Sequence, residues 1–198
     1  MTARVDVLVT GYANDRVAST VVLVRDGGAV IVVDPGMVAD RSAILDPLRA
    51  LGVMADEVTD VVLSHHHPDH TINAALFASA RVHDFWAVYE NDEWTDRPAD
   101  GAQLAPSVRL MATPGHTRQD ITTLVDTDEG LTACTHLWWS VEGPDDDPLA
   151  EDLDELRRSR ARLLALGPDR IIPGHGAPFT SEDRHRAEAA SAGEPLAG

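Results

Sequence analysis

The segment from Val58 to His70 constrains this chain more than any other. An apolar run, Val58 to Leu63, leads directly into Ser64-His65-His66-His67-Pro68-Asp69-His70, which places four imidazoles and a carboxylate within seven residues. The pattern predicts a buried strand ending in a metal-binding loop. His65 and His67 are two apart in an extended segment, so both side chains project to one side and can grip a single ion. Asp69 and His70 are adjacent beyond Pro68, and the turn there sends them in another direction, where a second ion could sit.

Around this loop the chain reads as two runs of strands, each followed by helices. Val5 to Thr10, Val17 to Val24 and Ala29 to Asp34 are rich in Val, Leu and Ile, and Asp26-Gly27-Gly28 marks a hairpin between the last two. From Asp40 as a cap, Ile44, Leu45, Leu48 and Leu51 recur at helical spacing until Gly52. Thr71 to Ala80 is expected as a short helix and Ala80 to His83 as a brief strand. Phe85 to Pro106, aromatic and acidic without a clean period, is expected as a long loop. Strands are expected again at Val108 to Ala112, Ile121 to Val125 and Leu131 to Thr135, then a helix from Leu149 to Leu166. Arg170 to Pro173 reads as a last strand and Thr180 as the cap of a final helix. The order predicts an α/β fold with sheets inside and helices outside, in a single domain over residues 1–198.

Composition narrows the partners. Sixteen basic residues against thirty-three acidic ones give a formal charge of -17. A surface this acidic repels phosphate backbones, so a small-molecule substrate is expected rather than nucleic acid. A homodimer is left open. Cys134 is the only cysteine, which excludes an internal disulfide and fits a reducing compartment. The start, Met1-Thr2-Ala3-Arg4-Val5-Asp6, carries an acid where a signal peptide needs apolar residues, and no run reaches membrane-span length. A soluble, cytoplasmic protein with no membrane association is the expectation.

Three later histidines stand where a strand has just ended: His116 in Thr113-Pro114-Gly115-His116-Thr117, His136 after Ala133-Cys134-Thr135, and His175 in Pro173-Gly174-His175-Gly176. Any one alone would more often be an ordinary loop histidine. Together with the dense loop, they point to imidazoles converging on a metal.

These residues resemble a known family. His65-x-His67-x-Asp69-His70 is similar to the H-x-H-x-D-H signature of the metallo-beta-lactamase fold, and Asp34 in Val33-Asp34-Pro35-Gly36 resembles that family's early strand-end aspartate. His116 and His175 stand in contexts similar to its later histidine motifs. The resemblance spans nearly the whole chain and extends to small single-domain hydrolases of the MBLAC and glyoxalase II-like kinds. It implies a four-layer αββα sandwich with two ions in a cleft between sheets. It further implies His65, His67 and His116 around the first ion, and Asp69, His70 and His175 around the second.

One position departs from the pattern. Where the family usually places a carboxylate that bridges both ions, this chain has Thr135-His136. A neutral imidazole has one free lone pair and cannot bridge as a carboxylate does. Three readings stay open: His136 is a terminal ligand on the second ion, the site holds a single ion, or His136 is a substrate group. His66 is read as outward-facing or orienting, Asp34 as a turn residue or the orienter of a ligand histidine.

Imidazoles with a carboxylate suit zinc, with iron or manganese as alternatives. Such an ion makes a hydroxide available at neutral pH, and Asp69 is expected to orient that water and accept its proton. The expected reaction is hydrolysis of an ester, thioester or lactone. The alternatives are a mononuclear iron persulfide dioxygenase-like enzyme, a phosphodiesterase or nuclease, and a catalytically silent metal-stabilised binding protein. Phe85, Trp86 and Tyr89, with one of Trp138 and Trp139, are expected to wall an apolar pocket.

Overall fold

The computed structural model describes residues 2–193. The chain opens with β1 (Arg4–Val9), a small ribbon of β2 (Tyr12–Ala13) and β3 (Val17–Ala18), and the hairpin of β4 (Val21–Asp26) and β5 (Ala29–Val33). Then come α1 (Ser42–Ala50), β6 (Asp60–Val62), α2 (Pro68–Thr71), β7 (Arg81–His83), β8 (Ala87–Glu90) and β9 (Glu93–Asp96). The second half contains β10 (Gln103–Ala105), β11 (Val108–Ala112), β12 (Ile121–Thr127), β13 (Gly130–Thr135), α3 (Leu153–Leu164), β14 (Arg170–Pro173) and α4 (Ser181–Gly193).

These strands form two large sheets, ordered β1-β4-β5-β6-β7-β8-β9 and β10-β11-β12-β13-β14. Side-chain alternation along each strand makes the layers. In β4, Val22 and Val24 join Ile31, Val33 and Val62 against Val108, Leu110, Ile121 and Ile172 of the second sheet. Val21 and Leu23 turn the other way and pack with Val32 and Val61 against Ile44 and Leu48 of α1. On the far side, Leu124, Ala133 and Ile171 pack against Leu156 and Leu163 of α3. Three apolar interfaces therefore separate four layers, the αββα sandwich expected.

Several boundaries differ from expectation. The helix expected over Thr71 to Ala80 instead starts at Pro68 and lasts one turn, followed by a 3-10 turn at Ala74–Leu76. Proline fits the first helical position, where no N–H is needed. The helix stops because the Asn73 backbone N–H and side-chain amide both donate to the Gly36 carbonyl, at 3.2 and 2.9 Å. The supposed loop from Phe85 to Pro106 holds three strands. All four residues of β9 are exposed, so no apolar alternation marks it. The helix expected from Leu149 starts at Leu153, capped by Asp152, whose side chain accepts from the Glu155 N–H at 2.9 Å. The final cap is as expected: Thr180 Oγ1 accepts from the Asp183 N–H while the Asp183 carboxylate accepts from the Thr180 N–H. No helix among the described residues is long and apolar enough to cross a membrane.

Candidate metal centre

Five segments at one edge of the sandwich meet: the ends of β5, β6, β13 and β14 and the turn between β11 and β12. They carry, in order, Asp34, the loop Ser64 to His70, His136, His175 and His116. Backbone hydrogen bonds clasp them directly. Ile121 N–H donates to Ser64 O at 2.9 Å, Thr20 N–H to Gly174 O at 2.7 Å, and Gly36 N–H to His70 O at 3.2 Å. Asp34 has φ 49°, in the left-handed region that aspartate tolerates better than most residues. This conformation lets its carboxylate accept from the Ser64 N–H and Oγ, both at 2.7 Å.

Six imidazoles and one carboxylate gather there in two adjoining groups. In the first, His67 Nδ1 lies 3.0 Å from His65 Nε2 and 3.1 Å from His116 Nε2. In the second, Asp69 Oδ2 lies 3.4 Å from His70 Nε2 and 3.5 Å from His175 Nε2. The His136 ring sits between them. Its Nε2 is 3.2 Å from His175 Nε2, and its centroid is 4.2 Å from that of His116. His136 is within ligand reach of both His65 with His116 and His70 with His175.

A cation fits these groups better than protons do. His70 Nε2 and His136 Nδ1 are buried without a hydrogen-bond partner, and each uncompensated buried polar group costs on the order of 1–3 kcal/mol. The nitrogen separations approach the edge of a tetrahedron with zinc–nitrogen bonds of about 2.0–2.1 Å, which is about 3.3 Å. Hydrogen bonds behind the rings set the tautomers. His116 Nδ1 donates to Asp147 at 2.7 Å and His175 Nδ1 to the Ala18 carbonyl at 2.9 Å. His70 Nδ1 donates to Asp34 at 2.8 Å. In each case the Nε2 face is turned to the centre.

Electrostatics agree. Burial, reinforced by neighbouring imidazoles, pushes His65 and His136 well below the ordinary histidine range, leaving the neutral rings a metal needs. Burial opposes charge on His70 as well, but the Asp34 and Asp69 carboxylates outweigh it and raise its pKa to about 9. Burial would raise Asp69, yet the close approach of His70 and the charges of His70 and His175 bring it to about 2.

A cleft of about 450 Å³ opens onto this centre, lined by His67, Asp69, His116, His136 and His175 together with Val17, Pro68, Trp139 and Leu149. The two adjacent tryptophans face opposite ways. Trp139 lines the cleft, whereas Trp138 is buried in the outer core beside Phe179. Phe85, Trp86 and Tyr89, expected in the pocket, do not line this cleft. Phe85 packs on the inter-sheet core. Trp86 stands exposed beside His66, and the Tyr89 hydroxyl donates to Asp84 at 2.8 Å. They are carried off by the β8–β9 hairpin, which stands where a long loop was expected. His66 points outward and pairs with Asp84 at 3.0 Å. Cys134 lies between the sheets, where burial raises its thiol to about 12.

Two buried acids at the centre carry no local sequence signal. Asp147 accepts from both His116 and the Trp139 indole, the latter at 3.1 Å. Asp120 lies 3.6 Å from His65 Nδ1, and burial, against hydrogen bonds from Thr117, raises it to about 7.

A four-layer αββα chain with a histidine-rich candidate metal site at its strand ends defines a class, and similarity assigns the family. The chain belongs to the metallo-beta-lactamase superfamily, whose family model matches residues 14–135. Members of that superfamily are mostly metal-dependent hydrolases. The chain is 33% identical over 189 residues to metallo-beta-lactamase domain-containing protein 1 of Xenopus laevis, covering 88% of this chain and 80% of that one. Its fold is similar to that of a Thermotoga maritima protein ascribed to the metallo-beta-lactamases. That match has a TM-score of 0.74 at 20% identity and covers 91% and 100% of the two chains. It is similar as well to AidC, a dizinc quorum-quenching lactonase solved with a product, with a TM-score of 0.61 at 21% identity and 79% and 72% coverage.

Proposed function

We propose that this protein is a metal-dependent hydrolase acting on a neutral ester, thioester or lactone of small or medium size, with two divalent ions, zinc in the first instance. The observation that carries the reading is the juxtaposition of the two ligand groups with an apolar, uncharged cleft wall of Val17, Pro68, Trp139 and Leu149. No arginine is among the residues lining that cleft, and the chain contains no lysine. A phosphodiester would enter without a cationic side chain to receive it, so an acyl compound is the better fit. The likeness in fold to a dizinc lactonase supports this choice.

His65, His67 and His116 would hold one ion; Asp69, His70, His136 and His175 the other. Such ions lower the pKa of bound water from about 15.7 to about 7 and polarise the substrate oxygen. Asp69, held anionic beside His70 and His175, orients the attacking water and takes up its proton. Asp34 fixes the His70 ring. Trp139 and Leu149 position the acyl chain and exclude bulk water. The single buried cysteine supports a reducing, cytoplasmic setting.

Elemental analysis of protein purified without chelator, paired with hydrolysis assays, tests the reading. The expected result is about two zinc equivalents and turnover of an N-acyl lactone or acyl thioester that chelator abolishes and zinc restores. Turnover confined to phosphodiesters, or a metal-free protein with full activity, would overturn it.

A further inference from the structure

The loop from Trp139 to Asp152 supplies a wall of the cleft and also reaches behind a metal-ligating ring. Its hinge point is Asp147, 3% exposed. Oδ2 of this one carboxylate accepts from His116 Nδ1 at 2.7 Å and from the Trp139 indole Nε1–H at 3.1 Å. Oδ1 accepts from the Leu149 N–H at 2.9 Å, and Leu149 and Trp139 both line the cleft.

The remainder of the loop leaves little slack. Glu151 N–H donates to His116 O and Asp152 N–H to Gly115 O, both at 3.0 Å. A Cβ on Gly115 would meet the Leu156 backbone at 2.3 Å, so the His116 turn lies flush against α3. The neighbouring acids are committed elsewhere, Asp145 to Arg184 and Asp146 to Arg157. Asp147 is thus the one member of the acidic run in contact with the centre.

We propose that Asp147 is a positioning residue that joins the cleft wall to the first metal triad, so that an ion on His65, His67 and His116 and the seating of the Trp139 indole each favour the other. This rests on the metal-centre reading above. The carboxylate keeps the His116 proton on Nδ1 and its Nε2 lone pair toward the ion. Because the same oxygen holds Trp139, tightening one contact restrains the other, and the coupling is reciprocal by thermodynamic necessity. Asparagine cannot replace this group: its amide NH₂ must face either Leu149 N–H or the two donors on Oδ2, placing donor against donor.

Zinc titration of the whole chain tests the proposal, with competition against a chelator for affinity, ring-nitrogen NMR to identify the bound imidazoles, and tryptophan emission for Trp139. Subtracting the Trp139→Phe signal isolates that residue from the other three tryptophans. In the wild type, zinc is expected to change Trp139 emission. Asp147→Asn should weaken zinc at the first triad on the order of 10- to 100-fold, as removing a carboxylate behind a ligand histidine generally does, and leave the ion on Asp69, His70, His136 and His175 unchanged. Asp34→Asn should weaken the second ion more than the first, an inverted ranking that general loosening of the fold cannot produce. Trp139→Phe should weaken first-triad zinc by a smaller factor. Wild-type protein that takes up no zinc overturns the metal reading and this inference together. Two bound zinc ions with an unchanged first triad in both Asp147→Asn and Trp139→Phe, or equal weakening of both ions by Asp147→Asn, overturn this inference alone.

Discussion

Stripped of metal, the protein should lose stability between pH 6.5 and 9, and Asp34 should be the reason. His70 is fully buried in contact with Asp34 and Asp69, which raise its pKa from 6.5 to about 9. A raised pKa adds stability that is fully present below the unfolded value and disappears as pH climbs through the folded one. With one unit corresponding to about 1.4 kcal/mol, the swing is roughly 3 kcal/mol. The other shifted groups are shared by wild type and Asp34→Asn, so the difference between the two isolates His70; Cys134, raised to about 12, adds a loss of its own near and above pH 9 in both. His65, His67, His136 and His175 are depressed, so they act in the opposite sense and at lower pH, withdrawing stability as pH falls through 6.5 in both variants. Asp120 is raised only to about 7. Asp34→Asn tolerates the left-handed backbone but removes the larger of the two charges holding the His70 proton, leaving only Asp69, so the slope above pH 6.5 should flatten. Urea unfolding in excess chelator at pH 6 and pH 9.5 measures both variants. Parallel wild-type and Asp34→Asn curves across that interval would refute the reasoning.

Other expectations follow from the same contacts. His136→Asp, which puts a carboxylate between the two ligand groups, should raise occupancy at the second ion; unchanged metal content by elemental analysis would count against the placement of His136. Cys134 should ignore a thiol reagent in folded protein and react on unfolding, since burial holds its thiol at about 12; fast labelling of the native state would contradict its place between the sheets. Leu48→Ala, at a wholly buried position against the first sheet, should cost about 2–5 kcal/mol in urea unfolding. His66→Ala should leave metal content unaltered, because that ring faces Asp84 outside the ligand groups.

Much of the architecture was readable because strand alternation and glycine turns are local. β11 and β14 fall where the apolar runs stand in the sequence, and the imidazoles that gather in the structure follow strand ends. Contacts between distant segments were not readable. Asp147 lies in an acidic run that looks like a solvated surface, and its partner His116 is 31 residues away. The β8–β9 hairpin escaped notice because β9 buries nothing, and with it went the placement of Phe85, Trp86 and Tyr89. The expected pocket survived only in Trp139, whose neighbour Trp138 was diverted into the core by the alternation of an extended backbone.

The main-chain hydrogen bonds that clasp Ser64, His70 and Gly174 to neighbouring loops bear on how the centre would be filled. An arriving ion meets rings already gathered by the main chain, so little freedom remains to be surrendered at that moment. Which element occupies such a cradle would then follow from ligand preference and supply rather than from any refolding around it, and one metal could give way to another while the sandwich stays intact.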